Sequence, residues 1–323
     1  MSSGNGVSRR DALRVGGLAA LGLALGGCST GPKQVAVRAP KRVMRVAHLT
    51  DFHVQLERAG AEGMAACLRH CMGLKDRPSL VVTGGDLIMD AFDKDAARTK
   101  LQWDIFTRAM KDECGVPVHH TLGNHDIWGW NKDQSKTTGN EPKWGKKWAL
   151  DTLGMERAYY GTDAGHWRLV VLDSVQPHPD GYVGGIDAEQ FAWLDGELAA
   201  HANRPVMVVT HIAVFAPSAA LYNNKLENGN RVIYSSLMMA NAHKVAGLFK
   251  KHGNVKLCLQ GHMHRNDRAE LDGTTYITSG AVCGAWWKGP EGQCTEGYGV
   301  VDLFDDGSFV HGYETYGWVA REA

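Results

Sequence analysis

The chain carries no excess of charge of either sign: among its 323 residues Lys and Arg number 35 and Asp and Glu 35. That balance excludes a global field for nucleic acid or for an acidic surface, so no nucleic-acid scaffold is indicated and recognition must rest on local chemistry. Long apolar runs are missing as well. The candidate from Val15 to Gly27 falls short of the roughly 20 residues that a membrane-spanning helix needs. No internal repeat or low-complexity tract is visible. The length suffices for a sizeable core in one domain.

What the N-terminus does contain reads as targeting rather than fold. Ser8-Arg9-Arg10-Asp11-Ala12-Leu13 is a twin-arginine export pattern, and Val15 to Gly27 fits the apolar region of a signal peptide. The run ends in Leu25-Gly26-Gly27-Cys28, which resembles a bacterial lipoprotein cleavage box with Cys28 as the lipidated residue. The alternative is an uncleaved membrane anchor. Residues 29–43, with Pro32 and Pro40, read as a tether, and the domain proper as residues 44–319. The expected location is the periplasmic or envelope side, on a membrane surface rather than across it. An exported destination permits disulfides. Of Cys67, Cys71, Cys114, Cys258, Cys283 and Cys294, the pair to test is Cys283 with Cys294; Cys258 sits mid-strand, and Cys67 and Cys71 lie one helical turn apart.

Five short fragments carry the chemistry: Asp51-Phe52-His53, Gly84-Gly85-Asp86, Gly123-Asn124-His125-Asp126, Thr210-His211 and Gly261-His262-Met263-His264. Each follows an apolar, β-branched run such as Arg45–Thr50 or Pro205–Thr210. Parallel strands buried on both faces read as such runs, and ligands gather at their carboxyl ends. Between them the pattern alternates strand and helix: strands at 43–49, 80–83, 116–122, 206–210 and 255–260, helices at 62–74, 95–111, 188–201 and 237–251. A hairpin, 159–163 with 167–173, turns at Ala164-Gly165. Short strands separated by Asp-Gly turns close the chain from Ala269 onward. An α/β body with an antiparallel ending follows.

This order of fragments resembles the calcineurin-like metallophosphoesterase family over about Arg45 to Trp318. The tail Gly284-Ala285-Trp286-Trp287-Lys288-Gly289 is similar to an exported bacterial subgroup. The resemblance implies a four-layer αββα sandwich of two mixed β-sheets flanked by helices, and a two-metal centre with manganese, iron or zinc as candidates; export of an already folded, metal-loaded protein favours manganese or iron and leaves zinc possible. By motif position, Asp51, His53, Asp86 and His264 would hold one ion, and Asp86, Asn124, His211 and His262 the other, with Asp86 bridging.

The residue chemistry agrees with that implication. Carboxylate, amide and imidazole donors suit hard-to-borderline divalent ions, and a pair of ions clamps the oxygens of a phosphoester while making a bridging hydroxide available near neutral pH. His125 is set apart as the general acid for the leaving oxygen, with Asp126 placed to fix its tautomer; alternatively His125 only contacts phosphate. Trp128 and Trp130 read as walls of a leaving-group pocket, as the core of a packed lid, or as interfacial residues facing a membrane. His48, His119 and His120, within strands, are read as core groups, and Asp173 as a structural hydrogen-bonding group. The expected activity is two-metal hydrolysis of a phosphomonoester or phosphodiester. The alternatives are a catalytically silent metal-binding envelope lipoprotein and a Trp-rich carbohydrate-binding surface.

Overall fold

The computed structural model describes residues 38–222 and 225–321. The twin-arginine segment, the Val15–Gly27 run, Cys28 and the tether as far as residue 37 lie outside the described residues.

Two sheets are packed face to face. The first orders its strands β15-β14-β1-β2-β3 and the second β12-β13-β11-β8-β5-β4. In the first, β1 (Arg42–Leu49), β2 (Leu80–Thr83) and β3 (Val118–His119) run parallel, while β14 (Gly297–Phe304) and β15 (Phe309–Thr315) are antiparallel additions. In the second, β5 (Trp167–Val171), β8 (Val206–Thr210), β11 (Val255–Gln260) and β13 (Thr274–Thr278) are parallel, and β4 (Tyr160–Ala164) and β12 (Asp267–Leu271) pair antiparallel at its two edges. Two short ribbons, β6 (Val175–His178) with β7 (Gly181–Gly184) and β9 (Leu226–Glu227) with β10 (Asn230–Arg231), stand apart from both.

Strand alternation decides the layering. Along β8, Met207 and Val209 face the other sheet while Val206 and Val208 face helices; along β11, Leu257 and Leu259 point inward and Cys258 outward. This two-sided burial is why these strands read as continuous apolar runs. The inter-sheet layer unites Val46, Val82, Val301 and Leu303 of the first sheet with Trp167, Leu169, Val171 and Ile277 of the second. Helix α1 (Gly60–Gly73) covers the outer face of the first sheet through Met64, Cys67, Leu68 and Cys71, spaced on one helical stripe. Beside it lies α2 (Ala96–Glu113), opened by Asp95, whose carboxylate accepts the Arg98 N–H at 2.9 Å. The short helices α3 (Lys132–Ser135) and α4 (Lys147–Leu153) follow in the segment after β3. On the second sheet lie α5 (Ala188–Ala200), capped by Asp187, and, after the short α6 (Pro217–Leu221), α7 (Ala242–His252), ended by Gly253 at φ 67°. The result is the four-layer αββα sandwich of two mixed sheets.

Three sequence readings shift. β1 starts at Arg42, inside the expected tether, because Arg42 pairs with Phe304 and the Lys41 N–H bonds Asp305 Oδ1 at 2.8 Å. The strand expected over 116–122 shortens to Val118–His119, since the following residues turn toward the sheet ends. The helix expected from 237 begins at Ala242, because Met239 instead donates its N–H to the Ala213 carbonyl.

Candidate metal centre

The carboxyl ends of the parallel strands of both sheets lie along one edge, and the five fragments are the loops that leave them. After β1 come Asp51 and His53, after β2 Asp86, after β3 Asn124 and His125, after β8 His211, and after β11 His262 and His264. The loops are tight. Asp51, His53, Asp86, His262 and His264 all hold left-handed backbones, with φ between 40° and 69°. Such conformations cost roughly 1–3 kcal/mol each in non-glycine residues and persist where the surroundings over-determine them. Five of seven candidate ligands are held this way, a concentration that points to function rather than to turn chemistry. Two glycines clear the space: a Cβ on Gly123 would stand 2.1 Å from Asp86 Oδ1, and one on Gly261 2.1 Å from Thr50 Oγ1.

The side chains converge in two groups joined by one carboxylate. In the first, His53 Nε2 lies 3.1 Å from His264 Nε2 and 3.9 Å from Asp51 Oδ1, and His264 Nε2 lies 3.5 Å from that same oxygen. In the second, His211 Nε2 lies 3.1 Å from both Asn124 Oδ1 and His262 Nδ1. Asp86 divides its two oxygens between tasks. Oδ1 accepts the His125 backbone N–H at 2.9 Å, while Oδ2 faces His53 Nε2 at 3.5 Å and His211 Nε2 at 3.2 Å. Asp51 is fixed by the Thr50 hydroxyl, donating at 2.6 Å, and by the His262 backbone N–H.

The ring orientations are set from behind. The Gly84 carbonyl meets His211 Nδ1 at 2.8 Å and the Gly284 carbonyl meets His264 Nδ1 at 2.6 Å. A carbonyl can only accept, so each Nδ1 carries its proton and each Nε2 turns a lone pair inward, the tautomer a metal ligand needs. Inward nitrogens of neighbouring rings lie 3.1 Å apart, His53 Nε2 from His264 Nε2 and His211 Nε2 from His262 Nδ1, a spacing that a shared proton or a metal ion has to bridge. Burial opposes charging His211, yet Asp86 and Asp51 outweigh it and raise the ring to about 9. Burial would likewise raise Asp86, but the surrounding imidazoles, His211 first, hold it well below the carboxylate range. Buried His262, beside His211, falls to about 4. The site therefore concentrates anionic oxygen and inward ring nitrogens, a setting that draws a proton onto His211 where a metal ion would otherwise take the lone pair, with no side-chain ammonium or guanidinium among the ligating atoms. Carboxylate, amide and imidazole donors in two groups sharing Asp86 fit a pair of divalent ions.

His125 stands at the mouth of this site, edge-on to His53 with ring centroids 4.8 Å apart. Asp126 does not reach it, contrary to the sequence expectation. Its Oδ1 accepts the N–H of Leu87 at 2.8 Å and of Ile88 at 3.3 Å, and its Oδ2 accepts the N–H of Gly123 at 2.8 Å. Adjacent residues in this tight turn diverge, so Asp126 points back to pin the loop that carries Asp86. The carboxylate beside His125 Nδ1 is Asp90, at 3.8 Å. It lies four residues beyond Asp86 in a loop without any recognisable signature, and nothing local would have revealed it.

The tryptophans also redistribute. Trp128 is 6 % exposed, donates its indole N–H to the Lys94 carbonyl at 3.0 Å and meets Trp148 edge-on at 4.8 Å. Trp130 packs against Phe92 under Lys146. Neither ring contacts a candidate ligand; both belong to the packed segment, the second reading given above. Trp286 takes the position assigned to them, its ring 4.0 Å from His53, 5.0 Å from His264 and 5.2 Å from His125, centroid to centroid. The expected disulfide candidates remain separate thiols: Cys283 lies 4.0 Å from His264 Nδ1, and Cys294 packs against the Tyr313 hydroxyl. His48, buried, bonds Ser279 Oγ, and Asp173 is tied to Lys146 at 2.5 Å.

Fold and site together define a two-sheet α/β sandwich with a metal-ligand set along the edge where its parallel strands end. The model of the calcineurin-like phosphoesterase family matches residues 44–266, and the chain belongs to that family, for which a two-metal site is typical. A curated relative, a 3',5'-cyclic-nucleotide phosphodiesterase of Nostoc sp., is 22% identical over 162 residues, covering 49% of this chain and 56% of the relative. The chain thus spans little more than half the length of that relative. Among solved structures, a dimetal phosphatase from Danio rerio aligns with a TM-score of 0.60 at 18% identity, over 85% of this chain and 97% of that one. GAP50, the anchor in the inner membrane complex of Plasmodium, aligns at 0.55 and 17% identity, over 86% of each chain. At such identities these two show the shared fold.

Proposed function

We propose that this chain is a two-metal phosphoester hydrolase, acting on phosphomonoesters or phosphodiesters, exported and held at a membrane surface through lipidated Cys28. One observation carries the catalytic reading: Asp86 Oδ2 faces the ligand nitrogens of both groups at once, 3.5 Å from His53 and 3.2 Å from His211. One ion would rest on Asp51, His53, Asp86 and His264, the other on Asp86, Asn124, His211 and His262. When bound, such a pair supplies Lewis acidity toward phosphoryl oxygens and makes water acidic enough to serve as a nucleophile near neutral pH.

The chain's own residues supply the rest. The buried carboxylates and inward imidazole nitrogens fix where a phosphoryl group can sit, and the loops around them keep bulk water from the far side. His125 is partly exposed at the mouth and is placed to give a proton to the departing alkoxide oxygen, the step that a poor leaving group needs most. The backbone N–H of His125 clamps Asp86 Oδ1 at 2.9 Å, so the proton donor and the shared carboxylate keep a constant spacing.

The sequence supports export: a twin-arginine pattern precedes the Leu25-Gly26-Gly27-Cys28 box. A protein exported folded can take up its ions before meeting periplasmic metals. Because zinc and copper outcompete manganese and iron(II) for imidazole-rich sites, cytoplasmic loading favours manganese or iron. The test is metal analysis of the purified protein together with turnover of p-nitrophenyl phosphate and bis-p-nitrophenyl phosphate, with and without chelator. Two manganese or iron ions per chain and chelator-sensitive hydrolysis are expected. Two tightly bound ions with no turnover of any phosphoester would leave the silent metal-binding lipoprotein in its place.

A further inference from the structure

Two adjacent tryptophans after β13 have opposite surroundings. Trp286 and Trp287 both hold left-handed backbones, at φ 59° and 63°. Trp287 explains its own strain. It is fully buried, donates its indole N–H to the His53 carbonyl at 2.9 Å and meets Trp318 edge-on at 5.6 Å. It also lies so close to α1 that a Cβ on Gly63 would come within 2.1 Å of its ring. This residue anchors the loop to the backbone of a candidate ligand. Trp286 has no such packing role. It is half-buried, and its ring lies over His53, His264 and His125. The anchor at Trp287 and the positive φ of both residues fix that placement.

We propose that Trp286 is a specificity-determining residue: it forms the leaving-group wall of the site and stacks on phosphoesters whose leaving alcohol carries a planar ring. This rests on the phosphoester reading above. If His125 protonates the departing oxygen, the leaving group emerges on the side of His125, and the indole beside His125 is the first apolar surface it meets. Trp286 lies on the His53 and His264 side of the centre. The opposite side, at His262, is flanked by Tyr182, with centroids 6.5 Å apart and rings nearly perpendicular. Among the described residues the ring contacts thus put an indole at the His53 end of the centre and a phenol at the His262 end, and a leaving group departing on the His125 side meets Trp286. Aromatic pairs gain roughly 0.5–1.5 kcal/mol beyond simple burial, which corresponds to about 2- to 12-fold in affinity. Alkyl leaving groups receive no such gain.

The experiment titrates manganese-loaded full-length protein with phenylphosphonate and with methylphosphonate, neither of which can be hydrolysed, and compares the wild type with Trp286→Ala and Trp286→Phe. The wild type is expected to prefer the phenyl compound. Trp286→Ala should lower that preference about 2- to 12-fold, and Trp286→Phe should fall between, with metal content unchanged in both. Should the alanine variant fail to fold, the phenylalanine variant still has to show a reduced ratio. A phenyl-to-methyl ratio that no substitution changes overturns the role of Trp286 while leaving phosphoester binding intact. Failure of the loaded wild type to bind either compound overturns both this role and the phosphoester reading.

Discussion

The two sheets contribute unequally to the metal centre. The first supplies Asp51, His53, Asp86, Asn124 and His125: all the carboxylate and amide oxygens and the proton donor. The second supplies His211, His262 and His264, imidazoles only. Each sheet alone would present an incomplete set, anionic oxygens with one ligand ring on one side and three mutually repelling rings on the other. The ligand set is thus a seam between layers, and filling it ties together two sheets that also meet through the apolar layer around Val46, Val82, Met207 and Leu257. Part of the backbone strain, that at His262 and His264, follows from this division. The second sheet has to turn His262 and His264 back over the first within four residues, which requires φ values of 69° and 52°.

The largest effect expected from breaking this seam is at Asp86. Asp86→Ala removes the oxygen that faces ring nitrogens of both ligand groups, His53 in one and His211 in the other, and phosphoester turnover should fall to background; steady-state assay at saturating manganese checks it. Next comes His125→Ala, from the first sheet alone. With both ions kept, kcat should fall on the order of 10²–10⁴-fold, as for a positioned acid. The loss should be smaller with p-nitrophenyl esters than with alkyl esters, since good leaving groups need little protonation. Equal losses for both would make His125 a positioning residue.

A stability measurement separates the seam from the surrounding core. Trp128→Ala removes a buried indole and its hydrogen bond to Lys94, and should cost about 3–5 kcal/mol in denaturant unfolding, with the phenyl-to-methyl preference for phosphonates unchanged. A selective loss of that preference without a loss of stability would return Trp128 to the pocket. The smallest expected effect is on metal depletion itself. If ligands from both sheets grip the same ions, holding free metal at about 100-fold above its Kd adds roughly 2.7 kcal/mol to folding. Chelation should therefore lower Tm, and Asp86→Ala, which holds little metal to lose, should show a much smaller shift.

Much of this arrangement was legible before any coordinates. Parallel strands buried on both faces leave unmistakable apolar runs, and polar fragments at their ends have one place to go. That is why β2, β8 and β11 carry the bounds read from the sequence. What escaped has a common physical cause. Asp126 is next to His125 in sequence, but a tight turn sends neighbouring side chains in different directions, and the carboxylate found three backbone N–H groups instead of the ring. Trp128 is close to His125 along the chain yet meets Trp148 in the core, whereas Trp286, far along the chain, arrives beside His125 through the β13 loop. Proximity in sequence was the only guide available for those roles, and the stacking of the two sheets decided them.

Counting metal decides whether one carboxylate is shared by two ligand sets drawn from two sheets. Purified wild type, His53→Ala, His211→Ala and Asp86→Ala would each be loaded with manganese, passed through a desalting column and analysed by plasma mass spectrometry. Two ions per chain are expected in the wild type, about one in each histidine variant and fewer than one in Asp86→Ala. Two retained ions in Asp86→Ala, or loss of both ions from His53→Ala and of none from His211→Ala, would contradict the shared carboxylate.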